Sequence, residues 1–506
     1  MRMKRPHLVL GALLASALWS TPSLAQTVPA AGQTPYAAAD EIFRAYQLDA
    51  HVPGLVYGIV ADGRLVHVGA LGVQDLTDRR PVTADTLFRI ASMTKAFTAL
   101  TVLKLRDDGQ LRLDAPAADY VPEMRGWKYL TDDSPQIRVR DLLNHVPGFV
   151  TDDPWGDRQQ PLPEAEFTKL LREGVPFTST PQTRFEYSNL GYAILGRIIG
   201  NVSKRPYAET ITQTLLQPLG MDSSGFEAAA APRERRAFGY RWQDDAWSPE
   251  PTLAHGVFGA MGGLQTSAND YAKWVAYLLD AWPPRNGAER GPVRRSTVRE
   301  LAQGSNFPQM GARPTRSGTP RSEQAGTYAM GLYAAVDSDL GFTLRHSGGY
   351  PGYGSHMLLL PDRNVGIFAF ANRTYAGPSR AVWDAAVALD KAGLLGKERE
   401  LAVSAELAAA YRTSAAIYAS GNVAAAGDQL AMNFLLDRDE AAWSRKLAAL
   451  KASVGACDSS TPVVPTGALT GEFTWPCEHG RLKGSVLLAP TRPPRIQQLM
   501  LEAIEP

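Results

Sequence analysis

Apolar and polar positions recur with clear periods over most of the chain, and its elements follow from them. A helical period runs from about Tyr36 to Leu48. It gives way to Leu55-Val56-Tyr57-Gly58-Ile59-Val60, an Asp62-Gly63 turn and Leu65-Val66-His67-Val68-Gly69. This reads as a β-hairpin, because Asp-Gly accepts the left-handed backbone of a tight hairpin turn. Another helix carries Ser92, runs to Asp108 and stops at Gly109, with Phe97, Leu100, Leu103 and Leu105 supplying apolar contacts. Strand-like runs return later: Ser355 to Leu360, a Pro361-Asp362-Arg363-Asn364 turn, then Val365 to Ala371, with a closing helix over Ala381 to Leu394. Strands at both ends with helices between predict an α+β fold, an antiparallel sheet flanked by helices plus a helical domain.

Two stretches break the pattern. Residues 284 to 326 are rich in Pro, Gly and Arg and patternless except for a short helical piece near Ser296 to Leu301. Eight arginines against three glutamates give this segment +5. A solvated variable loop is preferred here over a basic lip that attracts anionic substrates. Composition changes again after Gly396. Residues 400 to 452 are Ala-rich with a helical period, and Asp437-Arg438-Asp439-Glu440 starts a helix before Trp443. Residues 466 to 506 look like short strands broken at Pro493-Pro494. The expected organisation is a main domain over 36–395 and a smaller C-terminal accessory domain over 400–506, with no chemistry of its own in view.

A length of 506 residues suggests two or more domains, and 44% hydrophobic against 20% charged residues describes a globular protein rather than a disordered one. The first 25 residues carry Arg2, Lys4 and Arg5 and no acid, so the formal charge of +1 becomes −2 without them. No basic excess points to a nucleic-acid partner. Those 25 residues read as a secretory signal: the basic start, an apolar stretch from Leu8 to Trp19, and a small-residue cleavage site at Ser23-Leu24-Ala25. An uncleaved anchor is the alternative, disfavoured because the stretch is short for a membrane span. No later stretch is long and apolar enough to span. A periplasmic or secreted location follows, with cleavage near Ala25. In an oxidising compartment Cys457 and Cys477, the two cysteines of the chain, would form a disulfide worth about 3 kcal/mol, with two buried thiols as the alternative. No metal is expected, since the cysteines have no nearby histidine pair.

The candidate chemistry begins at Ser92-Met93-Thr94-Lys95. The spacing puts a hydroxyl and an amine on one helix face, where a desolvated lysine can take the serine proton and make a nucleophile. Tyr187-Ser188-Asn189 follows, before an apolar helix beginning near Leu190. Beside Lys95, a Tyr187 phenolate stabilised by the ammonium could shuttle the Ser92 proton and pass it to a leaving group. Asn189 can offer its amide to a substrate carbonyl or to Lys95. The third motif is His346-Ser347-Gly348-Gly349, after the strand-like Phe342-Thr343-Leu344-Arg345. Gly348 and Gly349 on a strand let a substrate backbone come close, and the Gly349 amide could join that of Ser92 in an oxyanion hole. Each motif alone has a structural alternative: a buried tyrosine, a helix-capping asparagine, a strand histidine.

Together the three motifs, in this order, resemble those of the serine hydrolases of the penicillin-binding, class C β-lactamase-like superfamily, over roughly residues 36 to 390. Leu142-Leu143-Asn144-His145-Val146-Pro147-Gly148 and Gly262-Gly263-Leu264-Gln265-Thr266-Ser267 look like further landmarks of that family. The resemblance implies a β-lactamase/transpeptidase-like fold, Ser92 as the acylated nucleophile, Lys95 and Tyr187 as the proton-transfer pair, and Asn189 and His346 as substrate-side groups, with no cofactor. Penicillin-recognising members typically carry Lys in the third motif, where a permanent cation grips the substrate carboxylate. His346 is mostly neutral above pH 7, which ranks β-lactam turnover below hydrolysis of esters or D-amino-acid peptides. The partner is then a small-molecule or peptide substrate. The competing class is a non-catalytic binder of cell-wall fragments on the same fold. An α/β-hydrolase is excluded by the lack of a Gly-x-Ser-x-Gly elbow.

Overall fold

The computed structural model describes residues 34–313, 322–399 and 401–504; the expected secretory signal lies outside them. Helix α1 (Ala37–Asp49) leads into β1 (Gly54–Ala61) and β2 (Arg64–Gly72). Their turn is the predicted one, with Asp62 at φ 49° and Gly63 at φ 73°. After a single 3₁₀ turn, Ala91–Met93, comes α2 (Thr94–Asp107), and later α3 (Asn189–Ser203) and α4 (Ala268–Leu279). The strands β3 (Gln309–Ala312), β4 (Glu323–Tyr328), β5 (Tyr333–Asp337), β6 (Gly341–Tyr350), β7 (Tyr353–Leu360) and β8 (Val365–Ala371) follow, then α5 (Ser379–Lys391).

These eight strands form one antiparallel sheet in the order β2-β1-β8-β7-β6-β5-β4-β3. A strand from the start of this region thus pairs with one from its end inside the sheet: Ile59 sits opposite Ile367. The two faces bury different partners. Leu344, Met357, Leu359 and Phe368 pack with Phe97, Leu100, Ile194 and Trp274 of the helical side. Tyr57, Leu358, Leu360 and Ile367 pack with Phe43 of α1 and Trp383 of α5. Along β6, residues 344, 346 and 348 therefore face the helical side, and 345, 347 and 349 face α5.

The Arg-rich stretch corrects one expectation. It is not only a loop, because Gln309–Ala312 and Glu323–Tyr328 are the last two strands of the sheet. The periodicity was hidden because β3 is exposed throughout and needs no apolar face. Nor are its arginines all free to form a basic lip: Arg295 pairs with Glu289, and Arg313 with Asp337 and Asp339.

Residues beyond 404 build a separate core. Helices α6 (Ala405–Ser420) and α7 (Glu440–Val454) cover the sheet β9 (Val464–Gly467), β10 (Thr470–Cys477), β11 (Gly480–Leu488) and β12 (Ile496–Ile504). Asp439 caps α7 by accepting from the Ala442 amide at 2.7 Å. Leu407, Ile417, Trp443, Leu447, Trp475 and Leu482 fill the interior. Cys457 and Cys477 are joined by a disulfide. Among the described residues no helix is long and apolar enough to cross a membrane.

Candidate active site

Ser92 sits in the 3₁₀ turn that opens α2, after Ala91 in the left-handed region at φ 49°. That turn aims its side chain into a cavity of about 790 Å³, whose walls include Tyr187, His346 and Gly349. Lys95, one turn on, is wholly buried. Its Nζ lies 2.7 Å from Asn189 Oδ1, 3.0 Å from the Met261 carbonyl and 3.1 Å from Ser92 Oγ. The first two partners can only accept, so they fix two N–H bonds. The third tetrahedral direction points at Ser92: an N–H in the ammonium, a lone pair in the amine. Burial draws the Lys95 pKa down to about 8, against the charges of Asp153, Asp157 and Asp152, so the amine form is accessible near neutrality.

Tyr187 stands immediately before α3, whose start is held by several groups. Ser188 caps the helix, accepting from the Gly191 amide at 3.2 Å. Asp152 accepts from the Asn189 and Leu190 amides at 2.6 and 2.8 Å. His145 of the first family landmark accepts from the Ser188 amide at 3.0 Å. The second landmark follows Met261, the lysine's carbonyl partner. Lys95 Nζ lies 4.8 Å from the Tyr187 ring centre. Burial, and then the charge of Asp153, push the phenol well above its ordinary pKa, while a hydrogen bond with Ser92 draws it back in part. Burial thus favours the neutral phenol over the phenolate that the sequence suggested, and a phenol has a proton to give.

Asn189 is fully buried, and its amide orients Lys95 rather than facing the cavity. Its Nδ2 donates to Asp153. His346 Nδ1 lies 2.6 Å from the Ser347 carbonyl, which can only accept, so Nδ1 carries the hydrogen and Nε2 accepts from the Tyr328 hydroxyl at 3.1 Å. Burial, and then Lys95, lower its pKa to about 3, leaving a neutral ring. Gly349 lines the cavity, but Gly348 does not. A Cβ there would come within 2.2 Å of Ser355 Oγ and 2.3 Å of the Ile90 carbonyl. Its small size serves the packing of β6 under the Ser92 turn.

Several polar residues of the site went unpredicted. Asp153 and Asp157 line the cavity, and burial followed by the Asp153 charge raises Asp157 to about 7. Tyr375 donates to Asp157 Oδ2 at 2.9 Å. Tyr333, Arg345 and His356 also border the cavity. No spacing rule joins these positions; the only trace in the chain is the acidic run Asp152-Asp153 ahead of Asp157.

A family model described as Beta-lactamase matches residues 39–392. Protein flp of Staphylococcus aureus (strain N315) is 29% identical over 330 residues, 64% of this chain and 60% of that protein. The chain thus matches under two thirds of that relative's length. An uncharacterized protein of Mycobacterium tuberculosis (strain CDC 1551 / Oshkosh) is 30% identical over 239 residues, 43% of this chain and 59% of the relative. Among solved structures, the octameric penicillin-binding protein homologue from Pyrococcus abyssi covers 89% of this chain and 96% of its own, at 20% identity and a TM-score of 0.59. The D-alanine carboxypeptidase AmpC from Burkholderia cenocepacia covers 70% and 99%, at 20% identity and a TM-score of 0.55. At such identities these structures speak for the fold. The family match extends over well more than half of the residues, and on that ground the chain belongs to the β-lactamase family of serine hydrolases.

Proposed function

We propose that this chain hydrolyses esters or D-amino-acid peptides through an acyl-enzyme on Ser92. The observation that carries the reading is the third tetrahedral direction of Lys95, aimed at Ser92 Oγ from 3.1 Å while two carbonyl oxygens hold the other two. In the amine form Lys95 accepts the hydroxyl proton as Oγ attacks the substrate carbonyl carbon. The oxygen of that carbonyl becomes an oxyanion, received by the backbone amides of Ser92 and Gly349. Tyr187 then donates its phenol proton to the leaving group as the bond to the acyl carbon breaks, and the Lys95 ammonium restores it. Water enters by the reverse relay, displaces Oγ and frees the acid.

A neutral His346 supplies no permanent charge on the Ser92 face, which keeps β-lactam turnover below that of esters and D-peptides. A fluorophosphonate probe should label the protein but not a folded Ser92→Ala variant; equal labelling of both rejects the nucleophile. Screening p-nitrophenyl esters, D-amino-acid amides and nitrocefin tests the ranking, which rapid nitrocefin hydrolysis overturns. The same reading includes export, with the mature chain starting after Ala25, as N-terminal sequencing of the extracytoplasmic protein would reveal.

A further inference from the structure

The stretch Leu142-Leu143-Asn144-His145-Val146-Pro147-Gly148 has no part in the proton relay of Lys95 and Tyr187, yet its histidine reaches into it. His145 is 1% exposed and lies in the left-handed region at φ 55°, an uncommon backbone for a residue with a side chain. In that conformation its carbonyl and its ring both meet the segment that carries Tyr187. The carbonyl accepts from the Glu186 amide at 2.9 Å, and ring Nδ1 accepts from the Ser188 amide at 3.0 Å. One residue thus binds the chain on either side of the phenol.

The ring is held in one protonation form. An amide N–H can only donate, so Nδ1 carries no hydrogen. Burial, and then the nearby Lys95 and His346, hold the ring well below its ordinary pKa, so it is neutral and Nε2 bears the hydrogen. That N–H is buried without a hydrogen bond. Around it stand the rings of Tyr187, Tyr328 and Tyr192, at 4.4, 4.4 and 5.1 Å between centres. An unsatisfied buried donor costs stability, so a side chain serving packing alone is better apolar. Tyr328 in turn donates to His346 Nε2 at 3.1 Å. The same imidazole is therefore wedged between the second motif and the hydroxyl partner of the third.

We propose that His145 is the positioning residue of Tyr187: it clamps residues 186 and 188 and so fixes where the phenol stands beside Ser92 and Lys95. This rests on the reading of Tyr187 as proton donor to the leaving group. The clamp works only with Nδ1 free of hydrogen, since a protonated ring would turn a donor toward the Ser188 amide. Its effect falls on the step that needs the phenol proton. As the C–N bond of an amide breaks, the nitrogen takes the electron pair and the Tyr187 proton; p-nitrophenolate keeps its electron pair and departs without one. A displaced phenol therefore harms amide cleavage and spares the ester.

The test compares kcat/KM for an amide and a p-nitrophenyl ester of one acyl group, on the full chain and its variants. His145→Phe keeps a ring and removes the acceptor, and it should lower the amide-to-ester ratio about tenfold or more. Tyr187→Phe should lower the ratio as well, and adding His145→Phe to it should change the ratio no further. His145→Asn places Oδ1 where Nδ1 stood and tolerates the left-handed backbone, so it should restore most of the ratio. Equal loss on ester and amide, a further fall on the Tyr187→Phe background, or no rescue by asparagine each overturns the clamp. Should His145→Phe not fold, His145→Asn decides alone: a ratio kept supports the clamp and a ratio lost overturns it. A measurement without substrate separates the clamp from the hydrolase reading. In ¹⁵N spectra of histidine-labelled protein, His145 should keep Nδ1 bare and Nε2 protonated from about pH 5 to pH 9. A proton on Nδ1, or titration within that range, overturns the clamp even if the fluorophosphonate probe labels Ser92. The expected tautomer in a protein that the probe fails to label sinks the hydrolase reading and leaves the clamp standing.

Discussion

Around Ser92 the interior holds a lysine, an asparagine, two aspartates and three histidines: Lys95, Asn189, Asp152, Asp157, His145, His346 and His356 are all buried. Between α6, α7 and the C-terminal sheet, Ser414 is the one buried polar residue among the described ones, and its hydroxyl is satisfied by the Ala410 carbonyl at 2.9 Å. Both regions lie in one chain under one solvent. The C-terminal region follows the ordinary rule that apolar groups go inside. The region around Ser92 breaks it repeatedly, and each breach lies within reach of the same cavity. Burying charge costs stability unless it is matched. A concentration of such groups around one cavity therefore marks where the molecule gives up stability for chemistry.

Substitutions can break or sharpen this contrast. The largest effect belongs to Lys95→Met, which should reduce kcat/KM about a thousandfold or more, because the nucleophile loses its base. Its melting temperature should move far less than its activity; a variant that simply unfolds would make Lys95 a structural residue. The C-terminal region should answer in the opposite currency. Replacing both Cys457 and Cys477 by serine should cost about 3 kcal/mol in denaturant unfolding of that region, and leave ester hydrolysis and probe labelling unchanged.

A smaller effect is the pH dependence. Lys95 is active as the amine, and its pKa is lowered to about 8. Activity should therefore rise with pH, falling about tenfold for each unit below that value. Because Tyr187 is held protonated by burial, no falling limb should follow at moderately alkaline pH. Initial-rate measurements in kcat/KM would show both features. Smallest is Asp153→Asn, which keeps an acceptor for Asn189 while removing a negative charge that raises the Lys95 pKa. The rising limb should move to lower pH; a shift upward would reverse the sign of the electrostatic account.

Much of this is legible in the sequence, but unevenly. A local spacing made Ser92 and Lys95 legible, and the Asp62-Gly63 hairpin was fixed by its turn chemistry. Tyr187, Asn189 and His346 could be chosen only because three weak patterns came in order. Arg345 and His356 could not be found this way: their place at the cavity comes from which face of β6 and β7 they occupy. The protonation of Tyr187 is illegible in the sequence, because a neighbouring ammonium can be inferred from residues whereas complete burial cannot. Strand β3 escaped notice because an exposed edge needs no alternating apolar side.

Strand β5 stops at Tyr333, opposite Arg345, so β6 beyond Arg345 pairs only with β7 among the described residues. A strand with an unoccupied flank acts as a ruler for any extended chain laid beside it, registering backbone direction and length at every second residue. Such a gauge is indifferent to which side chains the visitor carries, so discrimination between guests would fall to the groups beyond its ends.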